Sequence, residues 1–231
     1  QVSGEEAEHA RKAKRLSAGA AVEILNGRGR VIDAEIVEAR RDLVLRIVAL
    51  RDHPPLAPRV EVWSATPKGG RVDQMIDSLS EVGCARWRPL DTEWGVVEPR
   101  DTKLARLERV AREASKQCGR AWIMDVGERA SFAEALEREE RVKIVMADAS
   151  GEPYEPSGAE VVRLLVGPEG GWTVNERRRA EEAGAVLCRF GAHAMRIEVA
   201  APVAAAIILE SERRARAGVR SSRHDPERSP G

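Results

Sequence analysis

The chain has 231 residues with 38 basic and 38 acidic side chains, so its formal net charge is zero and no global field draws it to nucleic acid or to an anionic surface. That length is long for one ordinary domain and short for three, which predicts one large or two unequal domains. Three scattered cysteines (Cys84, Cys118 and Cys188), with no C-x-x-C pair and no histidine at ligand spacing, argue against a disulfide framework and a structural zinc site; a reduced, cytoplasmic protein is expected, with no apolar run approaching a membrane span and no signal-peptide pattern.

In chain order, residues 1–56 read as short and β-like. Residues 22–25 meet Asn26-Gly27, a hairpin signal, and residues 30–37 and 43–50 continue with alternation, so a small β-barrel is predicted rather than a helical domain. Arg11, Lys12, Lys14 and Arg15 put four positive charges in five residues, which suits a phosphate contact and equally a solvated basic turn. Three prolines within residues 54–58 stiffen the chain and cannot sit in a central strand, so the domain boundary is drawn after residue 57. Of the 38 basic residues 32 are arginine, suited to planar contacts with phosphate and bases, so any RNA binding must come from a local patch.

Beyond residue 57, strand and helix patterns alternate, the signature of a parallel α/β sheet. Strands are predicted at 60–65, 86–90, 121–126, 142–147 and 186–190, and helices at 72–82, 103–118 and 131–140, the first with Val72, Met75, Ile76, Leu79 and Val82 on one face. A closing helix is predicted over 199–217, with Pro202 in its first turn and a small, apolar surface of Ala200, Ala201, Ala204, Ala205, Ile207 and Ile208. From 219 to 231 the chain is polar and rich in arginine, serine and proline, and reads as a disordered tail.

Residues 161–171, VVRLLVGPEGG, organise this second part. Five of the first six are apolar, the pattern of a strand buried on both faces of a parallel sheet; glycines then stop it, and Thr173-Val174-Asn175-Glu176 has the spacing of a capping box. Strand, glycine turn and capped helix put an exposed turn at the carboxyl end of a central strand, where open α/β sheets bind ligands, although such glycines also serve as plain connectors. The turn lacks a GK[ST] ending and does not fit G-x-G-x-x-G, which argues against a triphosphate or a dinucleotide.

LLVGPEGGWTVNE, then Val186-Leu187-Cys188-Arg189-Phe190-Gly191, then Ala194-Met195-Arg196-Ile197-Glu198-Val199-Ala200 resemble, in order and spacing, the ribosomal RNA small subunit methyltransferase E family of the SPOUT superfamily. Thr66-Pro67-Lys68-Gly69-Gly70-Arg71 is similar to the family's K-G-[DN]-[RK] turn, and residues 113–120, EASKQCGR, to its E-A-x-x-Q-S-x-R, with Cys118 in the serine place. In the segment the family writes R-I-L-R-T-E-T-A, His193 replaces the first arginine and aliphatic residues replace both threonines.

The resemblance implies an α/β fold: a trefoil-knotted, parallel-sheet SPOUT methyltransferase domain over 58–218, preceded by a small PUA-like β-barrel domain over 1–57. It implies S-adenosylmethionine held by Leu165, Gly167, Pro168, Glu169, Gly170 and Gly171, by Leu187, Phe190 and Gly191, and by Ala194 and Met195, with no metal. It implies methyl transfer to N3 of a uridine in small-subunit ribosomal RNA, bound through Arg11, Lys12, Lys14, Arg15, Lys68, Gln117 and Arg120, by a homodimer. Arg196 would steady charge on the uracil, and Glu198 would orient Arg196 or accept the proton; a dipole-favoured residue in a first helical turn is the other reading of Glu198. His193 reads as a base or as a replaced structural arginine. A SPOUT enzyme acting on a ribose hydroxyl or another base, and a non-catalytic RNA-binding relative, are the alternatives.

Overall fold

The computed structural model describes residues 1–12, 16–95 and 101–222, in two units: Gln1–Pro55 with Gly119–Trp122, and Leu56–Cys118 with the chain from Ile123 onward. The first unit holds helix α1 (Gly4–Lys12) and strands β1 (Ala21–Leu25), β2 (Arg30–Ala39) and β3 (Leu43–Asp52), paired antiparallel in the order β1-β2-β3. The Asn26-Gly27 signal makes its turn: the Asn26 side-chain oxygen accepts from the N–H groups of Arg28 and Arg30 at 2.8 and 2.9 Å. Two expectations are corrected. The opening residues form a helix, because an Ala-, Glu- and Lys-rich stretch favours it, and among the described residues the strands make an open three-stranded sheet rather than a closed barrel. Nor did the sequence reveal that 119–122 joins this unit, where the Gly29 N–H bonds the Ala121 carbonyl at 2.9 Å and the Trp122 Nε1–H bonds the His53 carbonyl at 2.8 Å.

The second unit is a six-stranded, wholly parallel sheet in the order β6-β5-β4-β8-β7-β9. Its elements are β4 (Arg59–Ser64), α2 (Arg71–Val82), β5 (Arg86–Pro89), α3 (Asp101–Gln117), β6 (Asp125–Val126), α4 (Phe132–Ala135), β7 (Val142–Pro153), β8 (Val161–Val166), α5 (Val174–Glu182), β9 (Val186–Arg189) and α6 (Ile197–Ser222). Strand periodicity divides the core in two. Val60, Val62, Val162 and Leu164 face Met75, Ile76, Leu79, Ala201, Ala205 and Ile208 of α2 and α6, whereas Trp63, Met146 and Leu165 face Phe132, Trp172 and Ala180 around α4 and α5. The central strand β8 is buried on both faces, as its apolar run predicted.

Three of the predicted elements change. The helix expected over 131–140 is the single turn α4, with Ser131 and Glu134 closing a capping box, because the buried Arg163 guanidinium takes the carbonyls of Ala135 and Glu137 at 3.2 and 3.1 Å and draws the chain out of helical register. The strand expected over 121–126 shrinks to β6. Helix α6 begins at Ile197, two residues early, so Pro202 lies in its second turn and the Glu198 carbonyl loses the donor an ordinary residue would supply. At its far end α6 runs to Ser222, past the point where the polar tail was expected, and residues 223–231 lie outside the described ones. Among the described residues no helix is long and apolar enough to cross a membrane.

One buried carboxylate ties α6 to the β7–β8 connection. Glu212, fully buried, accepts from the Tyr154 hydroxyl at 2.8 Å, the Ser157 N–H and hydroxyl at 2.7 and 2.9 Å, and the Gly158 N–H at 3.1 Å. Burial pushes its pKa up, but the donors at Ser157, Tyr154 and Gly158 outweigh burial and hold it below the ordinary 4.5. A carboxyl that titrates lower in the native state contributes in full above the ordinary range and loses that contribution as pH falls through the native value. Glu212→Gln should therefore lower unfolding free energy by about 1–3 kcal/mol at neutral pH, where a weaker acceptor leaves donors poorly matched. In thermal melts the gap to the parent should narrow as pH falls below the ordinary carboxyl value of 4.5; a gap that stays constant argues against the carboxylate's role.

Candidate functional site

Register assembles the site. Ser64, Pro89, Ala147 and Cys188 stand level with Val166 through successive parallel pairs, so the segments at 65–70, 90–95, 167–173 and 190–196 leave the sheet at its carboxyl edge, where β7 breaks register with β9 between Ala147 and Glu152. In open α/β sheets this is the ligand edge.

The glycine turn is fixed from below and open above. Its Gly171 N–H bonds the Pro168 carbonyl at 2.9 Å with Gly171 at φ 76°, a left-handed conformation that favours glycine. A Cβ on Gly167 would lie 2.8 Å from the Trp172 indole, which is buried against Phe132 and held by an Nε1–H bond to the Ala147 carbonyl at 2.9 Å. Glu169 and Gly170 are exposed, and Pro168 is buried. The capping box is present: Thr173 Oγ1 accepts from the Glu176 N–H at 3.0 Å, and Glu176 Oε2 accepts from the Thr173 N–H at 2.8 Å. The other oxygen of buried Glu176 reaches the Glu93 N–H at 2.9 Å and so ties the glycine turn to the 90–95 segment, a link that local sequence rules do not show.

The remaining expected cofactor positions divide. Leu165 has its side chain in the core behind the sheet, and Leu187 packs partly against the same cluster. Phe190 stacks on Tyr154, its ring 6.2 Å away, which would leave backbone rather than the ring to a ligand at this position. Gly191 and Ala194 are exposed, Met195 is half-buried, and a Cβ on Gly191 would stand 3.2 Å from Met195 Cε. Backbone with little side-chain cover at 167–171 and at 190–195, both at the carboxyl edge, makes a candidate cradle for a flat base with polar edges.

At the start of α6 the Arg196 carbonyl accepts from the Val199 and Ala200 N–H groups at 3.0 and 2.8 Å, while the Arg196 side chain is exposed and makes no bond among the described residues. Glu198 is buried, and its partner is Arg71 at 3.5 Å rather than Arg196. Its second oxygen, Oε2, is buried with no partner, which an ordinary dipole-favoured residue on a helix surface would not be. Arg71 closes the Lys68-Gly69-Gly70-Arg71 turn quoted from the sequence, which gave it no role in the site, and it opens α2. His193 is exposed.

The expected RNA-contacting residues fall in both units. Arg11 and Lys12 lie in α1, where Lys12 pairs with Glu8, and Arg120 lies in the first unit; Lys68 and Gln117 are exposed in the second. Lys14 and Arg15 lie outside the described residues. Among the described residues no cluster of three or more histidine, cysteine or acidic side chains suits a metal ion.

A family model described as an RNA methyltransferase domain matches residues 54–209, and one described as an RNA methyltransferase PUA domain matches residues 2–48. The chain belongs to the RNA methyltransferase family. Within the family, it is 28% identical over 204 residues to the ribosomal RNA small subunit methyltransferase E of Synechocystis sp., covering 84% of this chain and 67% of that protein. It is 29% identical over 218 residues to that of Mycobacterium tuberculosis, covering 88% and 83%. The fold matches the crystal structure of a probable rRNA-methyltransferase from Porphyromonas gingivalis with a TM-score of 0.81 at 24% identity, covering 91% and 92% of the two chains. It also matches a ribosomal RNA small subunit methyltransferase E from Neisseria gonorrhoeae bound to S-adenosyl methionine, with a TM-score of 0.78 at 23% identity, covering 88% and 87%.

Proposed function

We propose that this chain is an S-adenosylmethionine-dependent methyltransferase that acts on N3 of a uridine in small-subunit ribosomal RNA, in the cytoplasm, as a homodimer with a trefoil knot in its methyltransferase domain. The observation that carries the chemical reading is the opening of α6: a buried carboxylate with one oxygen bonded to nothing, beside an exposed arginine, at the same sheet edge as the glycine cradle. The names of the relatives support the substrate class, and the ligand in the Neisseria gonorrhoeae structure supports the cofactor.

S-adenosylmethionine, when bound, supplies an electrophilic methyl group. The chain must hold it with the backbone of 167–171 and 190–195 and must make a poor nucleophile reactive, because the N3 nitrogen of uracil carries a proton and little negative charge. Glu198 Oε2 accepts that proton once substrate binding uncovers it, while Arg71 pairs with the other oxygen and orients the carboxylate. Arg196 pairs with the negative charge that develops on a uracil oxygen as the proton leaves. Incubating the protein with isotope-labelled S-adenosylmethionine and small-subunit ribosomal RNA, naked and as assembled subunits, and analysing the nucleosides by mass spectrometry tests the reading. Label in N3-methyluridine is the expected result; label on a ribose hydroxyl or another base overturns the uridine assignment, and no label in either substrate overturns methyl transfer.

RNA binding is local and electrostatic in this proposal, resting on Arg11, Lys12, Lys14, Arg15 and Arg120. Replacing the first four with alanine should flatten the salt dependence of RNA affinity by about 0.7 to 0.9 in slope for each phosphate that the protein no longer neutralises. An unchanged slope in a filter-binding salt series moves the RNA surface elsewhere.

The homodimer rests on less surface than the sequence suggested. Ala201, Ala204, Ala205 and Ile208 of α6 are covered by the chain's own core, which leaves Val199 and Ile207 exposed, with Ala200 and Val203 half-buried. Light scattering at micromolar concentration should give twice the chain mass, and Ile207→Asp should shift it toward one.

A further inference from the structure

Trp94 has no role in anything described so far. It is 53% exposed, and no other tryptophan, tyrosine or phenylalanine among the described residues is exposed. An indole is a large apolar surface to leave in water. Its segment is nevertheless held on both sides: the Asp91 N–H bonds the Ala130 carbonyl at 2.9 Å, the Glu93 N–H bonds buried Glu176 at 2.9 Å, and the Gly95 N–H closes a turn on the Thr92 carbonyl at 3.0 Å. A Cβ on Gly170 would stand 3.1 Å from Trp94 Cε3, so the indole lies against the bare backbone of the glycine turn at the ligand edge. The same carboxylate, Glu176, thus braces both the turn and the segment that carries the indole.

An enzyme that works on a base must take it out of its stack, and a flat aromatic face replaces part of the lost stacking whatever the base. We infer that Trp94 is the stacking platform for a base of the RNA substrate beside the methyl-donor turn, an inference that rests on the RNA methyltransferase reading of this edge. It predicts a residue that serves RNA affinity and leaves cofactor affinity alone. The cofactor's adenine is expected in the cradle of backbone groups, whereas the exposed indole face is reached from solvent.

The test measures two affinities in three proteins: the parent, Trp94→Phe and Trp94→Ala. Calorimetry gives S-adenosylmethionine affinity, and filter binding gives affinity for purified small-subunit ribosomal RNA. Thermal melts confirm that the variants fold; the side chain is half in water, so they should melt near the parent. Trp94→Ala should weaken RNA binding by about 5- to 150-fold, the range for losing one base–aromatic stack. Trp94→Phe, which keeps a π face, should restore most of it, and cofactor affinity should not move in either variant. Trp94→Ala binding RNA as the parent does overturns the inference. So does a parallel loss of cofactor affinity, which makes the indole part of the cofactor wall. A parent that binds the cofactor but no RNA fails differently, because it overturns the RNA reading of the whole edge and not only the role of this residue.

Discussion

Gly170→Val should abolish S-adenosylmethionine binding while the protein stays folded. The turn offers three glycines, and the structure distinguishes them. Gly171 sits at φ 76°, so any side chain there strains the backbone, and a Cβ on Gly167 meets the fixed, buried indole of Trp172 at 2.8 Å. Either replacement confuses loss of the site with loss of the fold. Gly170 is exposed and outside the positive-φ region, and its nearest obstacle, 3.1 Å from the added Cβ, is the half-exposed indole of Trp94, which can shift. The two γ-carbons of valine then occupy the space over the turn that a base edge needs to reach backbone groups. Titration calorimetry should show no binding heat, and the melting temperature should stay within a few degrees of the parent, as for other substitutions at unstrained, exposed positions. Unchanged affinity removes the 167–171 turn from the cofactor site.

What could be read from the sequence was what local rules govern. The apolar run of β8, the glycine stop and the Thr173 to Glu176 spacing each depend on neighbours within a few residues, and each stands in the structure as the pattern implied. What could not be read came from partners distant in sequence. α4 ends early because Arg163, on a later strand, takes its carbonyls, and helix periodicity carries no trace of that. Glu198 was legible as a charged residue near a helix start, but its burial, its pairing with Arg71 and its unpartnered oxygen arise only when α6 meets the opening of α2. Residues 119–122 read as part of the sheet domain by order, yet the Gly29 and His53 backbone groups claim them for the first unit. Glu212 gave no signal at all, since a carboxylate in an arginine-rich helix reads as a solvated face until its four donors are seen.

The pairing of Glu198 with Arg71 sharpens what is expected of Arg196. Had Arg196 held the Glu198 carboxylate, its removal would disturb the proposed base and the proposed charge partner together. With Arg71 in that role and the Arg196 side chain exposed and unbonded among the described residues, the two contributions separate. The Arg196 backbone carbonyl, which caps the first turn of α6, survives any side-chain replacement, so Arg196→Ala should fold normally. Cofactor affinity should also hold, because the proposed cradle at 190–195 would act through its backbone. A guanidinium cannot serve as a base at neutral pH, but it pairs with developing negative charge, and loss of one such donor typically costs about 3–4 kcal/mol of transition-state stabilisation. Single-turnover methylation of small-subunit RNA should therefore slow by a factor of about 100 to 1,000 in Arg196→Ala, with S-adenosylmethionine affinity near the parent's. Glu198→Gln should slow the same step while shifting its pH dependence, since it removes a proton acceptor and keeps the shape. Methylation at the parent rate in Arg196→Ala, or failure through lost cofactor binding, assigns the arginine a structural part and leaves charge stabilisation to another donor at this edge.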